Sequence, residues 1–115
     1  MAISKRSKAA EFSTAERQAI YERDGWCIFC KQGYEMGEGA GTFHSYAHYI
    51  SRAQGGLGIR KNGVYLCQYH HNMMDNGNNG KRAEMLEMVR EYLMEQYDDW
   101  KEKDLIFNKW DFLKG

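Results

Sequence analysis

Two short hooks of metal-binding residues constrain this chain more than any other feature. Cys27-x-x-Cys30 and Cys67-x-x-His70 are separated by 36 residues. A zinc ion takes four nitrogen or sulfur donors in a tetrahedron, and each x-x spacing lets one tight turn present two of them. Together the hooks make a full shell. With every position filled by protein there is no place for water, which predicts a structural zinc and not a catalytic one. Such an ion supplies much of the folding free energy of a small domain, so a loop-rich middle becomes tolerable. The competing arrangement puts His70 in an active site and leaves the zinc shell incomplete.

Length agrees with a small protein, and the order of strands and helices along it makes it α+β. At 115 residues the chain supports one hydrophobic core, so residues 1–115 are read as a single domain. Its apolar share of 43% argues against global disorder. No apolar run is long enough to cross a membrane, and MAISKRSKAAEF lacks a signal-peptide apolar region. A cytoplasmic setting follows as the expectation, and there three cysteines point to a metal or free thiols, not to disulfides. The net charge of zero conceals an asymmetry. Residues 1–82 carry 11 Lys+Arg against 7 Asp+Glu, or +4, whereas residues 83–115 carry 5 against 9, or −4. A basic front fits a nucleic-acid partner, and it fits an ordinary solvated surface about as well.

Along the chain, residues 1–12 read as a frayed basic arm able to touch phosphates. Ser13-Thr14-Ala15-Glu16 has capping-box spacing, which predicts a helix from about Thr14 to Arg23, stopping at Asp24-Gly25 and burying Ala15, Ala19 and Ile20. Trp26–Cys30 reads as a short strand bending into the first hook, and residues 31–41 as a loop. Thr42–Ile50 and Val64–Cys67 read as a hairpin joined by a long loop, in which Gly55, Gly56 and Gly58 serve the backbone. A helix is expected from Gln68 to Asp75. The DNGNNG after it is similar to a calcium loop, but Leu86 stands where that motif needs its closing Glu. Residues 81–115 form a helical extension, with Leu86, Val89, Leu93 and Tyr97 on one stripe and Met85, Met88 and Tyr92 widening it. Ile106, Phe107, Trp110 and Phe112 are expected to pack the end back on the body.

Between the hooks lie His48, at the end of the first strand, and Asn62, at the start of the second; His71 opens the helix. Hydrolysis of a phosphodiester needs an activated water, a cation on the phosphate and leaving oxygen, and a group that holds the base in place. A neutral His48 can act as base. His71 and Asp75, at i and i+4, share one face of a helix and can both bind a metal. Asn62 can fix His48 across the loop. Arg52, Arg60, Lys61, Lys81 and Arg82 flank these residues as candidate phosphate contacts. His44, an even offset from His48 on the strand, is a further candidate ligand.

The strings AHYISRAQGG, Asn62 and YLCQYHHNMMDNG, in that order after Cys27-x-x-Cys30, resemble the HNH endonuclease family. The resemblance covers about residues 24–77, and the tail EYLMEQYDDWKEKDLIFNKW is similar to that of phage-encoded members. It implies a zinc-stabilised ββα-metal core with flanking helices, DNA as substrate, and Mg²⁺ or Mn²⁺ as catalytic ion. His48 would be general base, Asn62 the orienting residue and His71 a metal ligand, with Asp75 beside it, and a phage-encoded member would work in the host cytoplasm. Three positions depart from the family pattern: Ala47 where Asp or His commonly binds metal, His70 where the fourth zinc ligand is usually Cys, and Asp75 where many members have His.

Other functions compete with this one. A zinc-stabilised nucleic-acid-binding module without catalysis is the main alternative, supported by Ala47. A zinc deaminase needs His-x-Glu and Pro-Cys-x-x-Cys, and this chain has no proline. The acidic C-terminal helix could also serve a homodimer or dock a phage packaging protein.

Overall fold

The computed structural model describes residues 4–77 and 80–108. Helices α1 (Lys5–Ala9), α2 (Thr14–Asp24) and α3 (Ile28–Lys31) precede strands β1 (His44–His48) and β2 (Gly63–Cys67), and α4 (Gln68–Asn76) and α5 (Arg82–Gln96) follow. Short 3₁₀ turns lie at Arg52–Gln54, Arg60–Asn62 and Glu102–Leu105. Trp110 and Phe112 lie outside the described residues.

The strands pair antiparallel, with Tyr46 opposite Tyr65, Ala47 opposite Val64 and His48 opposite Gly63. Alternation sends Ala47, Val64 and Leu66 into the core, where they join Met73 and Met74 of α4 and Met85, Val89 and Leu93 of α5. All but Ala47, Met73 and Met74 in that group are 0% exposed, so the Met-rich stripe of α5 is core. The strand is shorter than its β-rich sequence suggests. Phe43 has φ 51, a left-handed value, which ends the extended backbone before His44.

Serine 13 caps α2 by accepting from the Glu16 N–H, and Gly25, at φ 68, ends it. Its buried residues are Ile20 and Asp24, four apart; Ala15 faces solvent, contrary to the expected burial. Asp24 is a buried carboxylate with every partner it needs. It accepts from the Arg23 guanidinium at 2.6 and 3.1 Å and from the Tyr65 N–H at 2.8 Å, and Tyr92 donates its hydroxyl to it. Arg23 also donates to the carbonyls of Arg60 and Gly63, so one ion pair ties α2, β2 and α5 together.

Two stretches differ from their sequence reading. Residues 27–31 form a helical turn instead of a strand, and the reason is geometric: a strand would send residues three apart to opposite faces, whereas a helical turn brings Cys27 and Cys30 to one side. The N-terminal arm is also folded where it is described. Ala10 and Phe12 are buried, Ala9 accepts from the Gly58 N–H at 2.9 Å, and Arg6 donates to the Ala53 carbonyl at 2.6 Å. The basic charge of the arm hid the apolar residues that anchor it.

The long loop between the strands is braced from inside. Asn62 is 0% exposed and all of its amide is used: Oδ1 accepts from the Ile50 N–H, and Nδ2 donates to the carbonyls of Ile50 and Leu57. A side chain at Gly56 would collide with the Ile50 carbonyl, and one at Gly58 with the backbone of Glu11. The C-terminal segment returns to this loop, where Leu57 donates to Leu105 at 2.8 Å and Phe107 to Gly55 at 2.7 Å. Leu105 is its buried anchor, while Ile106 is 43% exposed. Among the described residues no helix is long and apolar enough to cross a membrane.

Candidate metal centre and active site

Cys27, Cys30, Cys67 and His70 converge on one point and can hold a metal ion, their donor atoms all lying within 4.8 Å of one another. The separations decide how well an ion fits. Cys30 Sγ to Cys67 Sγ is 3.7 Å, and His70 Nδ1 is 3.5, 3.5 and 3.3 Å from the sulfurs of Cys27, Cys30 and Cys67. A tetrahedral zinc has edges of about 3.8 Å between sulfurs and about 3.6 Å between sulfur and nitrogen. Those four edges match a tetrahedral zinc, and the two from Cys27 Sγ to the other sulfurs lie within 4.8 Å. The Tyr34 carbonyl, an obligate acceptor, lies 2.7 Å from His70 Nε2, so that nitrogen carries the proton and Nδ1 keeps its lone pair for a metal.

Burial pushes the Cys27 thiol up and the Cys30 thiol up to about 12. Burial also opposes ionisation of Cys67, but backbone hydrogen bonds from Gly41 and His70 bring it down to about 7. Metal uptake must displace the remaining thiol protons, so affinity rises with pH.

Beside this centre a cleft of about 480 Å³ opens between the end of β1, the loop after it and α4. His48, Arg52, His71, Asp75 and Arg82 line it, with Tyr46 and Ser51 at its wall. His48 Nε2 lies 2.7 Å from the Ala10 carbonyl, which can only accept, so the ring is protonated there and Nδ1 is left as a base. Phe12 packs over the imidazole at 4.4 Å between centroids. Burial lowers the His48 pKa below 6.5, the Ala10 hydrogen bond resists, and the positive charge of Arg52 lowers it further. The imidazole is therefore neutral at pH 7.

His71 Nε2 and Asp75 Oδ2 are 3.0 Å apart across one turn of α4. That separation is about the edge between neighbouring ligands of an octahedral Mg²⁺, a cation that keeps several waters of its own. The contact is equally that of a His–Asp ion pair, and the two side chains are available in the cleft as donors for a cation. Ser45 Oγ lies 2.7 Å from His71 Nδ1, and because a hydroxyl can accept or donate, it holds the ring in either tautomer.

Other predicted residues are placed elsewhere. Asn62 does not line the cleft; it braces the loop that begins two residues after His48. His44 stacks on Tyr65 and meets Trp26 edge-on, and its Nε2 is enclosed without a hydrogen-bond partner, so it is not a spare ligand at the cleft. Ala47 is 1% exposed and sits in the core. Of the five flanking cations, three are already paired: Arg60 with Glu16, Lys61 with Asp99, and Lys81 with Glu35 and Glu84. Arg52 and Arg82 have no acidic partner among the described residues, and both line the cleft.

Sequence reasoning missed Ser45 and the carbonyls of Ala10 and Tyr34. Strand alternation could have found Ser45, which lies at an odd offset from His48 and so faces α4; nothing in a sequence marks a carbonyl. No family model, curated protein or solved structure matches the chain. The family resemblance therefore rests on the sequence motifs.

Proposed function

We propose that this chain is a metal-dependent endonuclease of the HNH type that hydrolyses DNA phosphodiester bonds. One observation carries the reading: a neutral histidine with a free Nδ1 and a His71–Asp75 donor pair, from different elements, line the same open cleft. In that reading the β1–β2–α4 unit is a ββα-metal core, and zinc on Cys27, Cys30, Cys67 and His70 holds it together.

His48 Nδ1 takes a proton from the attacking water. Arg52 would contact the phosphate, while Arg82, whose Nη1 donates to the Met74 carbonyl at 2.7 Å, adds positive charge to the cleft wall. A Mg²⁺ or Mn²⁺ ion on His71 and Asp75 would stabilise the charge on the phosphate and the leaving 3′ oxygen. Asn62 acts through the backbone, keeping the Ile50–Leu57 loop, and with it Arg52, beside the base.

A second reading keeps the fold without the chemistry. Among the described residues only the cysteine-rich centre gathers three or more metal-binding groups, and Ala47 offers no third donor to the cleft. Incubating supercoiled plasmid with the zinc-loaded protein and Mg²⁺ or Mn²⁺ separates the two. Wild type is expected to nick, and His48→Ala to lose roughly 10²- to 10⁴-fold in rate with an unchanged circular dichroism spectrum. DNA binding without nicking by wild type would instead assign a binding module.

A further inference from the structure

A run of aromatic rings crosses the β1–β2 hairpin, partly covered by Phe12 and α2, from an exposed end to the cleft. Trp26 meets His44 at 5.0 Å, His44 stacks on Tyr65 at 4.8 Å, and Tyr65 meets Tyr46 at 5.2 Å. Phe12 then links Tyr46, at 6.3 Å, to His48, at 4.4 Å. The far end of this run is open to solvent. Trp26 is 50% exposed and Tyr21, edge-on to Tyr65, is 48% exposed. Phe43, beside His44, is 85% exposed and held at φ 51. A bulky residue in the left-handed region is strained, and proteins keep such strain mainly where it serves a ligand.

Positive charge accompanies the rings. The Arg17 guanidinium lies over Tyr46 at 5.8 Å and has no acidic partner among the described residues. Arg17 and Arg52 line a groove of about 550 Å³ against a single carboxylate, Glu11, and the groove shares Tyr46, His48 and Arg52 with the cleft. Duplex DNA keeps its base faces inside the stack, so it could use the arginines and leave the rings idle. An unpaired strand offers phosphates to the arginines and bare bases to the exposed rings of Trp26, Tyr21 and Phe43.

We propose that this face is a binding track for an unpaired DNA strand, which it delivers to His48. The endonuclease reading supplies the DNA; the rings and unpaired arginines select the strand state.

The test uses zinc-loaded protein in buffer without Mg²⁺ or Mn²⁺, so that binding is read without cleavage. A labelled oligo(dT) and a duplex of equal length are titrated by fluorescence anisotropy, while tryptophan emission reports stacking. The oligo(dT) is expected to bind at least about ten-fold tighter than duplex and to quench Trp26. Trp26→Ala should weaken oligo(dT) binding by about five- to a hundred-fold and spare duplex binding. Trp26→Phe should restore binding without the quenching, which separates stacking from misfolding. Met94→Ala, at an exposed site on α5, should change nothing. Equal affinity for both ligands, or a silent Trp26→Ala, would overturn the track. Concentration-dependent dimers abolished by Trp26→Ala, without any effect on oligo(dT), would assign the face to a second copy instead. Plasmid nicking is assayed separately: nicking without strand preference sinks only the track, and strand binding without nicking sinks only the endonuclease.

Discussion

His70 and His71 are neighbours in sequence with opposite surroundings. His70 is 0% exposed and joins three sulfurs in a closed shell, its other nitrogen held by the Tyr34 carbonyl. His71, about 100° further round the helix, lines an open cleft and has Asp75 and Ser45 as its polar contacts among the described residues. A full protein shell suits an ion that holds a fold, whereas a half-filled one leaves room for water and a phosphate. Helix rotation thus gives the same residue type two different surroundings.

The comparison breaks first if the buried shell is dispensable. Structural zinc contributes roughly 10–16 kcal/mol in small zinc-dependent peptides, about as much as the whole stability of a typical domain. Chelation, or Cys67→Ser, should therefore abolish cooperative unfolding in circular dichroism, and zinc should restore it in the chelated wild type. A melting curve indifferent to both would refute a structural ion.

The open end is sharpened by Ser45→Ala. Removing the group that orients His71 should raise the Mn²⁺ or Mg²⁺ concentration needed for half-maximal nicking by about ten- to a hundred-fold, with the melting temperature nearly unchanged. An unchanged metal requirement would mean that His71 does not bind the ion.

Smaller effects separate the paired cations from the unpaired ones. Arg52→Gln should lower the slope of log affinity against log salt by about 1, while Arg60→Gln, already committed to Glu16, should leave it alone. Equal slopes for the two variants would erase the distinction.

The pH profile should change least and in a defined direction. A base must be neutral to accept a proton, and burial holds the His48 pKa below 6.5. At saturating metal the rate should be flat above about pH 7 and fall only as pH drops through a His48 pKa lowered from 6.5. A rate still climbing from about pH 7 to pH 8 would exclude His48 as the base.

Much of this was legible in the sequence because it is local. The Ser13 cap, the Gly25 stop, the α5 stripe and both hooks are short-range patterns whose physics repeats in any protein. The helical turn at Cys27–Cys30 was misread because five residues carry too little periodicity to tell a strand from a turn, and metal geometry then favours the turn. The N-terminal arm was misread because its anchors, Ala10 and Phe12, find their partners at Gly63 and His48, far along the chain.

By itself the sequence determined which donors exist and at what spacing: four for one ion, two more on a helix face, one histidine at a strand end. Only tertiary structure decided which cations were spent on carboxylates, which histidine nitrogen was left unprotonated, and that Asn62 holds a loop instead of touching the base. Those outcomes depend on backbone carbonyls and distant side chains that meet in space, and meetings of that kind leave no trace in residue order.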